Sequence, residues 1–134
     1  MREQVRGMPI SWVSADKCKV LIVDQSVVLR RLLRSWLNSV PQVETVVEAG
    51  SQEEALQAAT DLQPHLILLD NGVTGLDVPA FMQTIQTELP ATRVVILSTY
   101  DVDVYREAAL ASGAIEFVPK ADLIDRLVAA LRTH

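Results

Sequence analysis

HLILLD (65–70) runs four apolar residues without a polar break and closes on a carboxylate, Asp70. A continuous apolar run of this length suits a strand covered on both faces, because a half-exposed strand alternates apolar and polar residues instead. Upstream lie CKVLIVD (18–24) and VETVVEA (43–49); downstream lie RVVILS (93–98) and IEFVPK (115–120). The LIV, LILL and VVIL cores are continuous. VETVVEA and IEFVPK alternate in part, which places them at sheet edges or gives them other duties.

The segments between the runs carry helical periodicity. Val28, Leu29, Leu32, Leu33, Trp36 and Leu37 form one stripe, with Arg30, Arg31 and Arg34 opposite. Ser51-Gln-Glu-Glu54 is a capping box, and Ala55, Leu56, Ala59 and Leu62 follow as the buried side, with Pro64 after the end. Phe81, Ile85 and Leu89 recur every four residues before Pro90 stops a third helix. Ala108, Ala109 and Ala111 suit a fourth helix ending near Gly113. Leu123, Ile124, Leu127, Val128 and Leu131 mark one face of the last.

Alternating strands and helices imply right-handed crossovers and a parallel sheet, hence an α/β, doubly wound, five-stranded sandwich with helices on both faces. The 134 residues fit one domain able to bury a core unaided. The single cysteine, Cys18, forms no disulfide within the chain and reads as a small buried apolar residue. Neither His65 nor His134 suggests a metal ligand. No stretch approaches a membrane span, and MREQVRGMPISWVSADK (1–17) lacks the sustained apolar core of a secretory signal. A formal charge of −5 argues against a nucleic-acid surface. Composition therefore points to a soluble cytoplasmic domain.

In doubly wound sheets, ligands bind beyond the carboxyl ends of the strands. The residues closing the runs are Asp24-Gln25, Asp70, Ser98-Thr99 and Lys120. Read singly, each has a plainer role. Asp70-Asn-Gly is a common turn, Ser98 an ordinary strand-end hydroxyl, Lys120 a solvated lysine and Phe117 a packing residue. Their joint arrival at one sheet edge favours chemistry.

KVLIVDQSVVLRRLL, LILLD, VVILST and GAIEFVPK, in this order and spacing, resemble the response-regulator receivers, and the resemblance covers roughly residues 18–133. It implies a flavodoxin-like topology with strand order 2-1-3-4-5, a receiver domain over 18–134 and an N-terminal extension, 1–17, expected to be flexible. It also implies that Asp70 is the phosphoacceptor, that Lys120 pairs with the phosphoryl oxygens, and that Ser98 bonds the new phosphoryl group. Phe117 takes the place of the switch aromatic. The implied cofactor is Mg²⁺, held by Asp24, Asp70 and the backbone carbonyl of Gly72. The implied partners are a histidine kinase or phosphotransfer protein and a downstream protein or output domain, with a homodimer on activation compatible with the family.

The chain departs from the family at Gln25, where a second acidic residue is usual. Removing one unit charge beside a dication weakens binding by on the order of a few kcal/mol. A Gln carbonyl still coordinates, so Gln25 is expected to be a weak, atypical metal ligand. Thr74 stands where a proline often follows, and Ala121 follows Lys120 where many receivers have proline. Two functions are compatible with this pattern, a phosphorylated switch or a degenerate receiver acting as a phosphorylation-independent binding module. Asp70, Ser98 and Lys120 together favour the switch. A flavodoxin-like cofactor binder lacks support, since neither a P-loop nor a G-x-G-x-x-G fingerprint is present. STYDVDVYREAALASGA (98–114) resembles receivers that precede a helix-turn-helix domain. No such domain follows within the 134 residues, which fits either a stand-alone receiver or a piece of a longer protein; if it stands alone, output is expected through a protein contact or phosphorelay and not by direct promoter binding.

Overall fold

The computed structural model describes residues 8, 10–13 and 16–132; residues 1–7, 9, 14 and 15 of the expected extension, and Thr133 and His134, lie outside the described residues. Five strands, β1 (Cys18–Val23), β2 (Val43–Ala49), β3 (Leu66–Asp70), β4 (Arg93–Ser98) and β5 (Glu116–Pro119), alternate with five helices. These are α1 (Val27–Asn38), α2 (Gln52–Leu62), α3 (Val78–Glu88), α4 (Asp103–Ala111) and α5 (Lys120–Arg132). All pairings are parallel and the order is β2-β1-β3-β4-β5, so the two partly alternating runs do lie at the edges.

Alternation along the strands divides the core in two. Val20, Ile22, Leu66, Leu68, Val95 and Leu97 face α1 and α5; Leu21, Val23, Ile67, Leu69, Val94 and Ile96 face α2, α3 and α4. No helix among the described residues is long and apolar enough to cross a membrane.

Three helix faces differ in detail from the sequence pattern. Val28 is 69% exposed, because Leu29, Leu33, Trp36 and Leu37 already fill the α1 contact. Only Ala109 of the α4 alanines is buried, and Ile124 and Val128 of α5 face outward while Leu123 and Leu127 are fully buried. A narrow stripe suffices where each helix packs on one side of a sheet. Nor are the arginines of α1 all solvated, since Arg30 Nε and Arg34 Nε pair with the two oxygens of Glu48 on β2 at 2.9 and 2.5 Å. The capping box forms with one change. Ser51 Oγ accepts from Glu54 N at 3.2 Å, and Glu54 Oε1 accepts from the N–H of Gly50, not of Ser51.

The described part of the extension is anchored. Met8, Trp12 and Val13 are buried in the α1/α5 core, and Trp12 meets Trp36 edge to face with centroids 6.3 Å apart. Arg93 donates to the carbonyls of Ser11 and Trp12, both at 3.1 Å. Trp12 is thereby placed at the amino-terminal edge of the sheet, opposite the Asp24–Asp70 edge.

Candidate functional site at the carboxyl edge of the sheet

Because every strand runs the same way, the carboxyl ends of β1, β3, β4 and β5 share one edge. Register sets Val23 beside Leu69, Asp70 beside Leu97, and Ser98 beside Pro119. The next residue after β1 is Asp24, and the next after β5 is Lys120, which opens α5 directly. Asp24, Asp70 and Ser98 are all buried.

Lys120 Nζ stands 2.8 Å from Asp24 Oδ2 and 2.9 Å from Asp70 Oδ2. A lysine in the first turn of a helix opposes the helix dipole, so its position has to be stabilised by other charges. Here two carboxylates do so. Burial pushes the Lys120 ammonium down, but the hydrogen bonds it donates to Asp24 and Asp70 outweigh burial and hold it above its ordinary value. Burial pushes the Asp24 carboxyl up, and the neighbouring charge of Asp70 adds to this; Lys120 and the Ser26 N–H offset only part. Each carboxylate also accepts one backbone N–H: Asp24 Oδ1 from Ser26 at 2.8 Å, Asp70 Oδ1 from Gly72 at 2.9 Å. Asp24 Oδ2 has no further hydrogen-bond partner among the described residues.

With all three side chains ionised, Asp24, Asp70 and Lys120 carry one negative charge in excess. That excess, and a buried carboxylate oxygen left with the ammonium alone, fit a hard cation. Gly72 lies against the Asp70 carboxylate: a Cβ there would sit 3.4 Å from Oδ1. Among the described residues no cluster of three or more His, Cys, Asp or Glu offers an alternative metal site.

The hydroxyl and the aromatic occupy distinct positions. Ser98 Oγ donates to Tyr100 O at 2.8 Å and accepts from Tyr100 N at 3.1 Å, closing a local turn. Phe117 is buried, with the Arg106 guanidinium 4.9 Å from its ring centroid. Sequence reasoning missed Arg106, whose helical position gave no sign of a stacking role.

Gln25 is engaged by Thr74. Its Oε1 accepts from Thr74 N at 3.2 Å, and its Nε2 donates to Thr74 Oγ1 at 3.1 Å. Sequence reading marked Gln25 and Thr74 separately as departures; only the fold brings them together across 49 residues.

The family profile of the response regulator receiver domain matches residues 20–132. The chain is 34% identical over 106 residues to protein-glutamate methylesterase/protein-glutamine glutaminase 1 of Methanosarcina mazei, covering 78% of this chain and 29% of that protein. It is 32% identical over 116 residues to the response regulator protein VraR of Staphylococcus saprophyticus, covering 85% of this chain and 54% of that one. The chain thus spans about a third to a half of the curated relatives it matches. The response regulator domain of Thermotoga maritima CheB superposes with a TM-score of 0.68 at 25% identity, covering 86% of this chain and 96% of that domain. With the fold, strand order and matched span in agreement, the chain belongs to the response regulator receiver domain family of two-component systems.

Proposed function

We propose that Asp70 accepts a phosphoryl group from a phosphohistidine on a histidine kinase or phosphotransfer protein. The observation that carries this reading is the bridging of two buried carboxylates, Asp70 and Asp24, by one partly buried ammonium at 2.9 and 2.8 Å, at the carboxyl edge of a parallel sheet. A carboxylate oxygen of Asp70 forms the new P–O bond as the P–N bond breaks, and the imidazole nitrogen keeps the electron pair. The product is an acyl phosphate on Asp70 and a free histidine on the donor.

The protein's work here is charge placement. Lys120 is already fixed beside the accepting carboxylate, so no reorganisation is needed to meet the charge on the transferred oxygens. Asp24, Asp70 and the Gly72 carbonyl are the groups that would hold Mg²⁺; when bound, the cation neutralises charge on the phosphoryl oxygens. Ser98 donates its hydroxyl hydrogen to Tyr100 O in the structure. To hydrogen-bond a phosphoryl oxygen it releases that carbonyl, freeing the 98–102 segment to move. This release links phosphorylation to Phe117 and to the surface of α4, β5 and α5, which would engage a downstream protein or output domain.

The test is intact mass after incubation with Mg²⁺ and acetyl phosphate, beside Asp70→Asn. One added phosphoryl group in the unaltered protein alone supports the switch. No gain at high Mg²⁺, or with a histidine phosphodonor protein, identifies a phosphorylation-independent binding module.

A further inference from the structure

We infer that Gln25 and Thr74 form one positioning device, a neutral clasp across the Asp70 site that holds the phosphoacceptor loop and takes Gln25 out of metal coordination. The inference deepens the phosphoacceptor reading and rests on it for its functional meaning, though the clasp itself is tested separately below.

The chemistry of the contact is specific. A backbone N–H only donates, so the carboxamide oxygen of Gln25 must face Thr74 N; its NH₂ then faces Thr74 Oγ1, as observed at 3.1 Å. Thr74 Oγ1 also lies 3.4 Å from Gln25 Oε1, so both polar groups of Thr74 are spent on one side chain. Proline at 74 would remove the N–H and the hydroxyl together. Aspartate at 25 would be one methylene shorter and could donate nothing to Thr74 Oγ1. Each departure therefore supplies what the other needs.

The clasp joins the residues after β1 to the loop between β3 and α3, the two segments that carry Asp24 and Asp70. That loop is held at its far end too: Gln52 Oε1 accepts from Asp77 N at 2.8 Å, and Asp77 caps α3 by accepting from Ala80 N. Residues 74–77, the second half of this loop, are thus pinned at both ends by uncharged amides. A carboxylate at 25 would raise the negative excess around Asp24 and Asp70, and the two segments would then repel until a cation arrived. The amide closes the same gap without charge. Divalent-cation affinity then falls to Asp24 and Asp70.

Amide hydrogen exchange at Thr74, read by NMR on the full chain without any phosphodonor, tests the clasp. Gln25→Ala should speed Thr74 exchange roughly three- to tenfold, the range of one exposed-to-moderate hydrogen bond. Thr74→Val, which keeps the N–H but loses the hydroxyl, should give a smaller increase at the same amide. Titrating Mg²⁺ into the unaltered protein should leave Thr74 protected at saturation, and Gln25→Asp should bind Mg²⁺ about tenfold tighter or more by calorimetry. Unchanged exchange in Gln25→Ala overturns the clasp. Loss of Thr74 protection on Mg²⁺ saturation overturns it too, by showing that the Gln25 carbonyl leaves Thr74 for the metal. Failure of Asp70 to gain a phosphoryl group, with Thr74 protected throughout, would instead remove the phosphoacceptor reading and leave the clasp standing.

Discussion

The indole Nε1–H of Trp12 donates to Glu116 Oε1 at 2.7 Å, tying a segment that precedes β1 to the first residue of β5. Glu116 directly precedes Phe117. Trp12 also packs on Trp36 near the end of α1, and its carbonyl accepts from Arg93 at the start of β4. One residue, through its indole and its backbone carbonyl, thus braces three elements at the edge opposite Asp70.

Trp12→Ala should lower the free energy of unfolding by about 3–5 kcal/mol, the usual cost of deleting a buried aromatic ring. Trp12→Phe keeps most of the apolar contact but loses the indole donor, and should cost about 1 kcal/mol. Urea denaturation followed by far-ultraviolet circular dichroism measures both. A loss below 1 kcal/mol for Trp12→Ala would show that residues before β1 add no packing.

Asp24→Asn should separate stability from function. The folded-state pKa of Asp24 is raised, chiefly by burial. A raised pKa means that this group favours the fold below its unfolded pKa and loses that contribution as pH rises through the folded value. At neutral pH its ionisation therefore works against folding. Asparagine retains an oxygen for the Ser26 N–H, removes the charge, and should stabilise the protein by on the order of 1 kcal/mol. The gain should shrink as pH falls into the range where Asp24 is protonated in both states. Phosphoryl uptake from acetyl phosphate should fall sharply at the same Mg²⁺ concentration. Lower stability in Asp24→Asn would mean that pairing with Lys120 outweighs burial.

The strands were legible because burial on both faces writes itself into sequence as an unbroken apolar run: LIV, LILL and VVIL all fall inside β1, β3 and β4. The placing of Asp24, Asp70, Ser98 and Lys120 at one edge followed from strand direction alone. Helix faces were less legible, because periodicity shows which residues share a side and not how wide the contact is. Val28 and Ile124 sit at the margins of their stripes and end up outside. Least legible were Trp12, Arg106 and the pairing of Gln25 with Thr74. Each depends on a partner 11 to 104 residues away, chosen by tertiary geometry with no local periodicity to announce it.

Glu48 should make stability depend on pH in the acid range. Burial pushes its carboxyl up, but hydrogen bonds from Arg34 and Arg30 outweigh burial and hold it below its ordinary value. A lowered pKa contributes stability above the unfolded value, and that contribution is lost as pH falls through the folded one. Glu48→Gln should therefore be less stable at neutral pH, by about 0.5–1 kcal/mol given the partial exposure of the pair. The difference from the unaltered protein should close below the ordinary glutamate range. Thermal unfolding at a series of pH values, in low salt, follows it. A deficit that persists unchanged in acid would trace to packing and not to charge.

Arg106 should be energetically coupled to Phe117. Its guanidinium lies over the ring, one nitrogen donates to the Phe117 carbonyl at 3.3 Å, and another pairs with Asp101 at 3.1 Å. Three contacts from a single planar group fix both the ring and the strand that bears it, which an ammonium on a flexible stem cannot reproduce. A double-mutant cycle of Arg106→Gln with Phe117→Leu should give a coupling free energy of about 0.5–1 kcal/mol in unfolding, the scale of a partly exposed cation–π contact. Arg106→Lys should recover less than half of it. If Phe117 leaves its buried position when Ser98 releases Tyr100, the same coupling should weaken in phosphorylated protein, because the ring would have moved from under the guanidinium. Equal coupling with and without phosphorylation would show that Phe117 stays in place and that the signal leaves the site through the 98–102 segment alone.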